Sequence, residues 1–225
     1  MPQVDVTVGI DVGGARKGFH AVALTGGAYT GQLATGEVQE LARWCRSVVG
    51  ASVIAIDAPC RWSSDGRPRP CELELIGGGI RCFPSPSRQK AVEHPTNYFG
   101  WMLQGEALYQ ALECGAPEEA YPLLRSLPLS GRGCFETFPH AMTWQLRGGQ
   151  AQAAQKRVQR SQLLVQAGID LAPLTTIDRI DAALCALAAH QVACAGECLS
   201  YGEPESGLIV VPRRSPRPVS TGASG

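Results

Sequence analysis

Across the 225 residues no stretch approaches the roughly 18 consecutive apolar residues of a membrane-spanning helix. Nor does the N-terminus show the basic region, apolar segment and small-residue cleavage site of a secretory leader. Charge of one sign is not in excess: 20 Lys+Arg balance 20 Asp+Glu, so no global positive field draws the chain to nucleic acid, and any such binding must be local. The nine cysteines are odd in number and never spaced C-x-x-C, which argues against a disulfide framework and against paired zinc-ligand spacing. Reduced thiols in the cytoplasm fit this usage, so a cytoplasmic protein is expected.

What is present begins with Val4-Asp-Val-Thr-Val-Gly-Ile-Asp-Val-Gly-Gly14. Side chains alternate along a strand, so Val4, Val6, Val8, Ile10 and Val12 share a core face. Asp5, Thr7, Gly9 and Asp11 lie on the other face, where Thr7 and Gly9 leave room for another element to approach the backbone. Asp11 closes this strand just before Gly13-Gly14. A carboxylate fixed there suits a hard cation such as Mg²⁺, and it equally suits a turn before glycines.

The glycine-rich loop 13–18 and the alternating residues 19–24 predict a hairpin, residues 28–35 an edge strand and residues 37–49 a helix. Residues 52–57, a short continuous apolar run after that helix, read as a buried strand parallel to the first, with Asp57 ending beside Asp11. Residues 60–133 form an expected insertion rich in proline, glycine and arginine, with a short helix at 69–75, an extended stretch at 82–87 and helical patterns at 98–114 and 118–127. Residues 134–139 return to strand and carry Glu136 among aromatics, where an acid needs a partner, a metal or solvent. A helix is expected at 151–167, another from Ile177, and a last strand at 207–212, giving one domain over residues 1–212 and a disordered tail at 213–225. On the helix from Ile177, Asp181 falls at the border of an apolar stripe, and Asp178 reads as an N-terminal helix charge or cap. Two basic groups stand out: Arg61, Arg67, Arg69, Arg81, Arg88 and Lys90, and then Lys156, Arg157 and Arg160.

This order of elements, with acids ending the first and fourth strands and opening a late helix, resembles the ribonuclease H-like superfamily. More narrowly, the chain looks like the domain-of-unknown-function family four hundred and twenty-nine, usually described as predicted nucleases of that fold. The match rests on Gly9-Ile-Asp-Val-Gly-Gly14, Ile54-Ala-Ile-Asp-Ala-Pro59, Arg69-Pro-Cys-Glu72 with Phe83-Pro-Ser-Pro86, Glu136-Thr-Phe-Pro139, Asp178-Arg-Ile-Asp-Ala182 and Gly207-Leu-Ile-Val-Val-Pro212. The resemblance implies a mixed five-stranded α/β sheet, its first three strands antiparallel and the rest parallel, flanked by helices. It further implies phosphodiester hydrolysis by two Mg²⁺ or Mn²⁺ ions about 4 Å apart. Asp11 would bridge the ions, Asp57 and Asp181 would each hold one side, and Glu136 or Asp178 would complete a shell or orient a water. Arg61, Arg88 and Lys156 are the expected contacts to a DNA or RNA substrate. The Asp178-x-x-Asp181 pair is also similar to the helix acids of RuvC-type junction resolvases, and a homodimer is one arrangement the sequence leaves open. Two other classes stay open: a non-catalytic binding module on the same fold, and a nucleotide-binding protein of the actin and sugar-kinase type, whose first phosphate loop Gly9–Gly14 also resembles.

Overall fold

The computed structural model describes residues 5–129 and 131–213. Val4 of the expected first strand and residues 214–225 of the expected disordered tail lie outside them. Strand β1 (Val6–Val12) pairs antiparallel with β2 (Phe19–Thr25), and β2 pairs antiparallel with β3 (Ala28–Thr35). Helix α1 (Val38–Arg43), extended by a π turn over Trp44–Val48, returns the chain to β4 (Val53–Asp57), which pairs parallel with β1. A long crossover then carries α2 (Pro70–Gly77), α3 (Arg88–Val92) and α4 (Gly100–Glu113) before β5 (Gly133–Glu136), parallel to β4. Helices α5 (Pro139–Leu146), α6 (Lys156–Gln166) and α7 (Ile177–Ala193) follow, and the hairpin β6 (Cys198–Glu203) and β7 (Gly207–Pro212) completes the sheet.

Among the described residues the sheet therefore has seven strands in the order β3-β2-β1-β4-β5-β7-β6, two more than the five that the resemblance implies and one more than the six placed above by residue range. The strand absent from the sequence reading is β6, an edge strand whose half-buried Cys-Leu-Ser-Tyr-Gly-Glu offers neither alternation nor a continuous apolar run. Residues 118–127 are a second correction: they form turns and extended chain, not a helix. Pro117, Pro122 and Pro128 each remove a backbone donor, and the chain instead bonds Leu124 N–H to Cys134 O at 2.8 Å, beside β5. Helices α3 and α5 were also unexpected, and the helix expected from residue 151 begins as a single 3₁₀ turn at Ala153–Gln155. Helix α4, placed by the sequence reading inside an insertion, packs Leu108 and Leu112 into the core.

Both faces of β1 are covered. Val8, Ile10 and Val12 join Ile54, Ile56, Leu41, Leu108 and Leu112 in one apolar layer beneath α1 and α4. The opposite layer brings Val22, Ala55, Phe135 and Leu208 against α7, with its small side chains Ala182, Ala183 and Ala186. Gly9 sets how near that helix lies, because a Cβ there would stand 1.9 Å from Ala186 N and 2.1 Å from Ala182 O. Among the described residues no helix is long and apolar enough to cross a membrane.

Gly9→Ala drives a methyl group into the helix backbone, which cannot yield as a flexible side chain would. It is expected to cost about 3 kcal/mol, the upper part of the range for overpacking. Urea denaturation measures this, and an unchanged midpoint would contradict the close approach.

Candidate active site

Parallel pairing in register makes Asp11 and Asp57 direct neighbours at the C-terminal ends of β1 and β4. Each is the last or next-to-last residue of its strand, so the sheet and not a loop fixes its backbone. Helix α7 crosses over this edge and supplies Asp181, which is buried. Burial, then the charges of Asp181 and Asp178, raises the Asp11 carboxyl to about 7. Asp57 is pushed well above the ordinary carboxylate range by burial, then by Asp11 and Asp181. Asp181 is also raised, burial outweighing the opposing pull of Arg160. Each acid thus makes its neighbours harder to ionise, as expected of carboxylates sharing a poorly hydrated site.

Two basic side chains partly offset this repulsion, and the sequence reading assigned neither to the role. Arg160 on α6 donates from one terminal nitrogen to Asp181 Oδ1. Lys17, in the loop between β1 and β2, donates to Asp178 Oδ1 at 3.0 Å. Asp178 is not the helix cap: Thr176 Oγ1 accepts the Arg179 N–H at 3.2 Å and does that work. The available signal for Lys17 was its place in the glycine-rich loop directly after Asp11.

Glu136 has a different setting. Arg69 forks onto it, with Nη1 to Oε2 at 2.9 Å and Nη2 to Oε1 at 2.7 Å, and the Cys60 N–H also donates to Oε2 at 2.8 Å. Arg69 Nε reaches Glu72 Oε1 at 3.0 Å, and the same oxygen accepts from Ser85 N–H and Oγ. This gives the buried acid the partner its position in an apolar strand requires. It also gives a structural reason for the Arg69-Pro-Cys-Glu72 and Phe83-Pro-Ser-Pro86 segments, whose i,i+3 Arg/Glu spacing at a proline-led helix start was the readable signal. Of the expected substrate contacts, Arg88 is paired with Glu106 at 2.8 Å, and Arg61 lines a small cavity of about 120 Å³ that also contains Glu106. Lys156 alone borders the carboxylate region, where its charge acts on Asp181.

Two larger cavities flank the acids. One, of about 320 Å³, is lined by Asp57, Phe83, Trp101, Glu136 and Phe138. The other, of about 530 Å³, is lined by Arg81, His140, Trp144, Lys156 and Arg160. Among the described residues no three His, Cys, Asp or Glu side chains converge closely enough to hold a metal ion as they stand. The donor chemistry nonetheless suits a hard divalent cation at Asp11 and Asp57, whose shared repulsion such a charge would relieve.

The profile of the family described as "Protein of unknown function (DUF429)" matches residues 9–206. This chain belongs to that family. The matched span runs from Gly9, where α7 meets β1, to the turn before β7, so every acid discussed above lies within the DUF429 region. Neither the curated proteins nor the solved structures contain a match to this DUF429 chain.

Two outcomes are expected of this arrangement. Because Asp11 holds a proton in the folded chain up to about 7, against 3.8 ordinarily, its stabilising contribution is complete below about pH 4 and lost as pH rises through 7. Asp57 and Asp181 shift in the same direction. In metal-free buffer the melting temperature should therefore fall between about pH 4 and pH 7. Asp11→Asn should flatten that fall and melt above the parent at the alkaline end; parallel curves would remove Asp11 from the account. Arg69→Met strands two buried carboxylates and should cost about 3–5 kcal/mol by urea unfolding, where a loss under about 1 kcal/mol would show that the ion network is not holding the crossover to the sheet.

Proposed function

We propose that this protein is a metal-dependent nuclease of ribonuclease H-like architecture, hydrolysing phosphodiester bonds at the edge where β1, β4 and α7 meet. The observation that carries the reading is the register pairing of Asp11 with Asp57, joined by Asp181 across the helix. These are three mutually repelling acids at the end of parallel strands, where open α/β sheets bind ligands. The strand directions support it as well: the first three strands are antiparallel, and β4 and β5 continue in parallel from β1.

Asp11 and Asp57 would hold Mg²⁺ or Mn²⁺, with Asp181 completing the set once Arg160 is displaced and Asp178 orienting a water. When bound, such ions acidify a water and neutralise charge on the phosphate. In the reaction the water gives up a proton to solvent and its oxygen bonds to phosphorus as the P–O3′ bond breaks, while the departing 3′-oxygen takes a proton from solvent. Lys17, exposed beside Asp178, lies at the mouth of the site and would meet the phosphate charge. Glu136, with both oxygens taken by Arg69, serves by shaping the wall behind Asp57.

One observation favours a second reading. Lys17 and Arg160 already neutralise two of the acids, as in a binding module that needs no metal. Thermal melting and cleavage assays separate the two. A nuclease should gain melting temperature with Mn²⁺, lose that gain in Asp11→Asn, and cleave a single-stranded, duplex or branched DNA or RNA. Asp11→Asn should cut that rate by about 10²–10³-fold, the scale of one electrostatic stabiliser. Finding neither a metal-dependent rise nor cleavage of any such substrate would overturn the nuclease and leave the binding module.

A further inference from the structure

The cavity of about 530 Å³ between α5 and α6 is lined by Arg81, Lys156 and Arg160 with no acid, although the chain as a whole is neutral. It lies at the start of α6, whose first turn carries no acid and whose preceding residue, Gln155, gives no side-chain cap. Helix N–H groups without a capping side chain favour an anion, although that of Lys156 already donates to Ala153 O. Such a terminus alone would say little; the cavity with its three cations supplies the independent observation.

Arg160 is 7% exposed, yet among the described residues it makes one hydrogen bond, to Asp181, and its Nε has no partner. The contrast with Arg69 is direct. Arg69 is equally buried, but it spends Nε and both terminal nitrogens on two glutamates. Nε itself is closed off from the cavity, so what Arg160 brings to this wall is its charge, held in place by the bond to Asp181. His140 lies on the same wall, and burial, then the charges of Arg160 and Arg81, lower its pKa. Trp144 adds an aromatic surface, and the volume exceeds what one phosphate needs.

We infer that this cavity binds one nucleotide of the substrate strand, with its backbone phosphate held by Arg81, Lys156 and Arg160 and its base against Trp144. The choice of a nucleic-acid phosphate rests on the nuclease reading. The site itself follows from the cavity and its three cations. It neighbours the phosphate to be cleaved, because Arg160 touches both the cavity and Asp181.

Binding of dye-labelled short single-stranded DNA and RNA, followed by anisotropy in EDTA so that no metal-dependent cleavage intervenes, tests the inference on the whole chain. Arg81→Ala/Lys156→Ala replaces two exposed side chains. It should weaken binding at least about tenfold and flatten the plot of log affinity against log salt by about 1.4, two single-strand phosphate contacts. Arg125→Ala, which opens only the exposed pair with Glu205, should change neither. Equal affinity and slope for the double variant and the parent, with both probes, would overturn the inference. So would an oligonucleotide that binds no more tightly than inorganic phosphate competes for the same site, since the cavity would then serve a free phosphate. If the double variant loses binding but the parent cleaves nothing with Mn²⁺, the phosphate site stands and the nuclease reading falls. If the parent cleaves and the double variant still binds normally, the reverse holds.

Discussion

Helix α7 lies on β1 with its backbone where a side chain at residue 9 would be, and the place of the third acid follows from that contact. Ala182 and Ala186 face the glycine, and Thr7 Oγ1 donates to Ala186 O at 3.5 Å just along the strand. Asp181 precedes Ala182 in the chain, so the same approach that closes the core carries its carboxylate towards Asp11. A bulkier pair of surfaces would keep the apolar layer dry yet hold the acid farther out, and the electrostatic link among the three would weaken with distance. Packing and chemistry here share one cause.

The molecule treats its buried charges in two ways. Glu136 and Glu72 are saturated: every donor Arg69 can turn inward is spent on them, and backbone N–H groups of Cys60 and Ser85 add to the set. The carboxylates at the strand ends are left unsaturated, their repulsion only partly offset by Lys17 and by a single bond from Arg160. Satisfied buried ions fix a shape, whereas incompletely satisfied ones leave a site able to gain by binding something.

How much of this could be read from the sequence depended on whether the signal was local. Asp11 and Asp57 were legible because each ends a strand with strong apolar patterning, and parallel pairing then makes them neighbours. Asp181 was legible from helical phase against small residues. Arg160 and Lys17 were not placed: each meets its acid across a long sequence separation, and nothing in a local window ties a surface-like basic run to one carboxylate. The same applies to Glu136, whose need for a partner was plain but whose partner, Arg69, lies 67 residues earlier. Strand β6 escaped because an edge strand needs no apolar period, and residues 118–127 misled because prolines interrupt an otherwise helix-like composition.

Arg69 also ties together, directly or through the two glutamates, parts of the chain far apart in sequence: the loop after β4 at Cys60, the start of α2, the extended segment at Ser85 and the end of β5. None can open alone, since each opening would leave a desolvated carboxylate or guanidinium without its counterpart. In hydrogen-exchange terms these four stretches should behave as one cooperative unit assembled from distant sequence, with amides protected to a common depth. The wall behind Asp57 is therefore stiff, and the Arg160 side of the site, held by one bond, is where the fold leaves compliance.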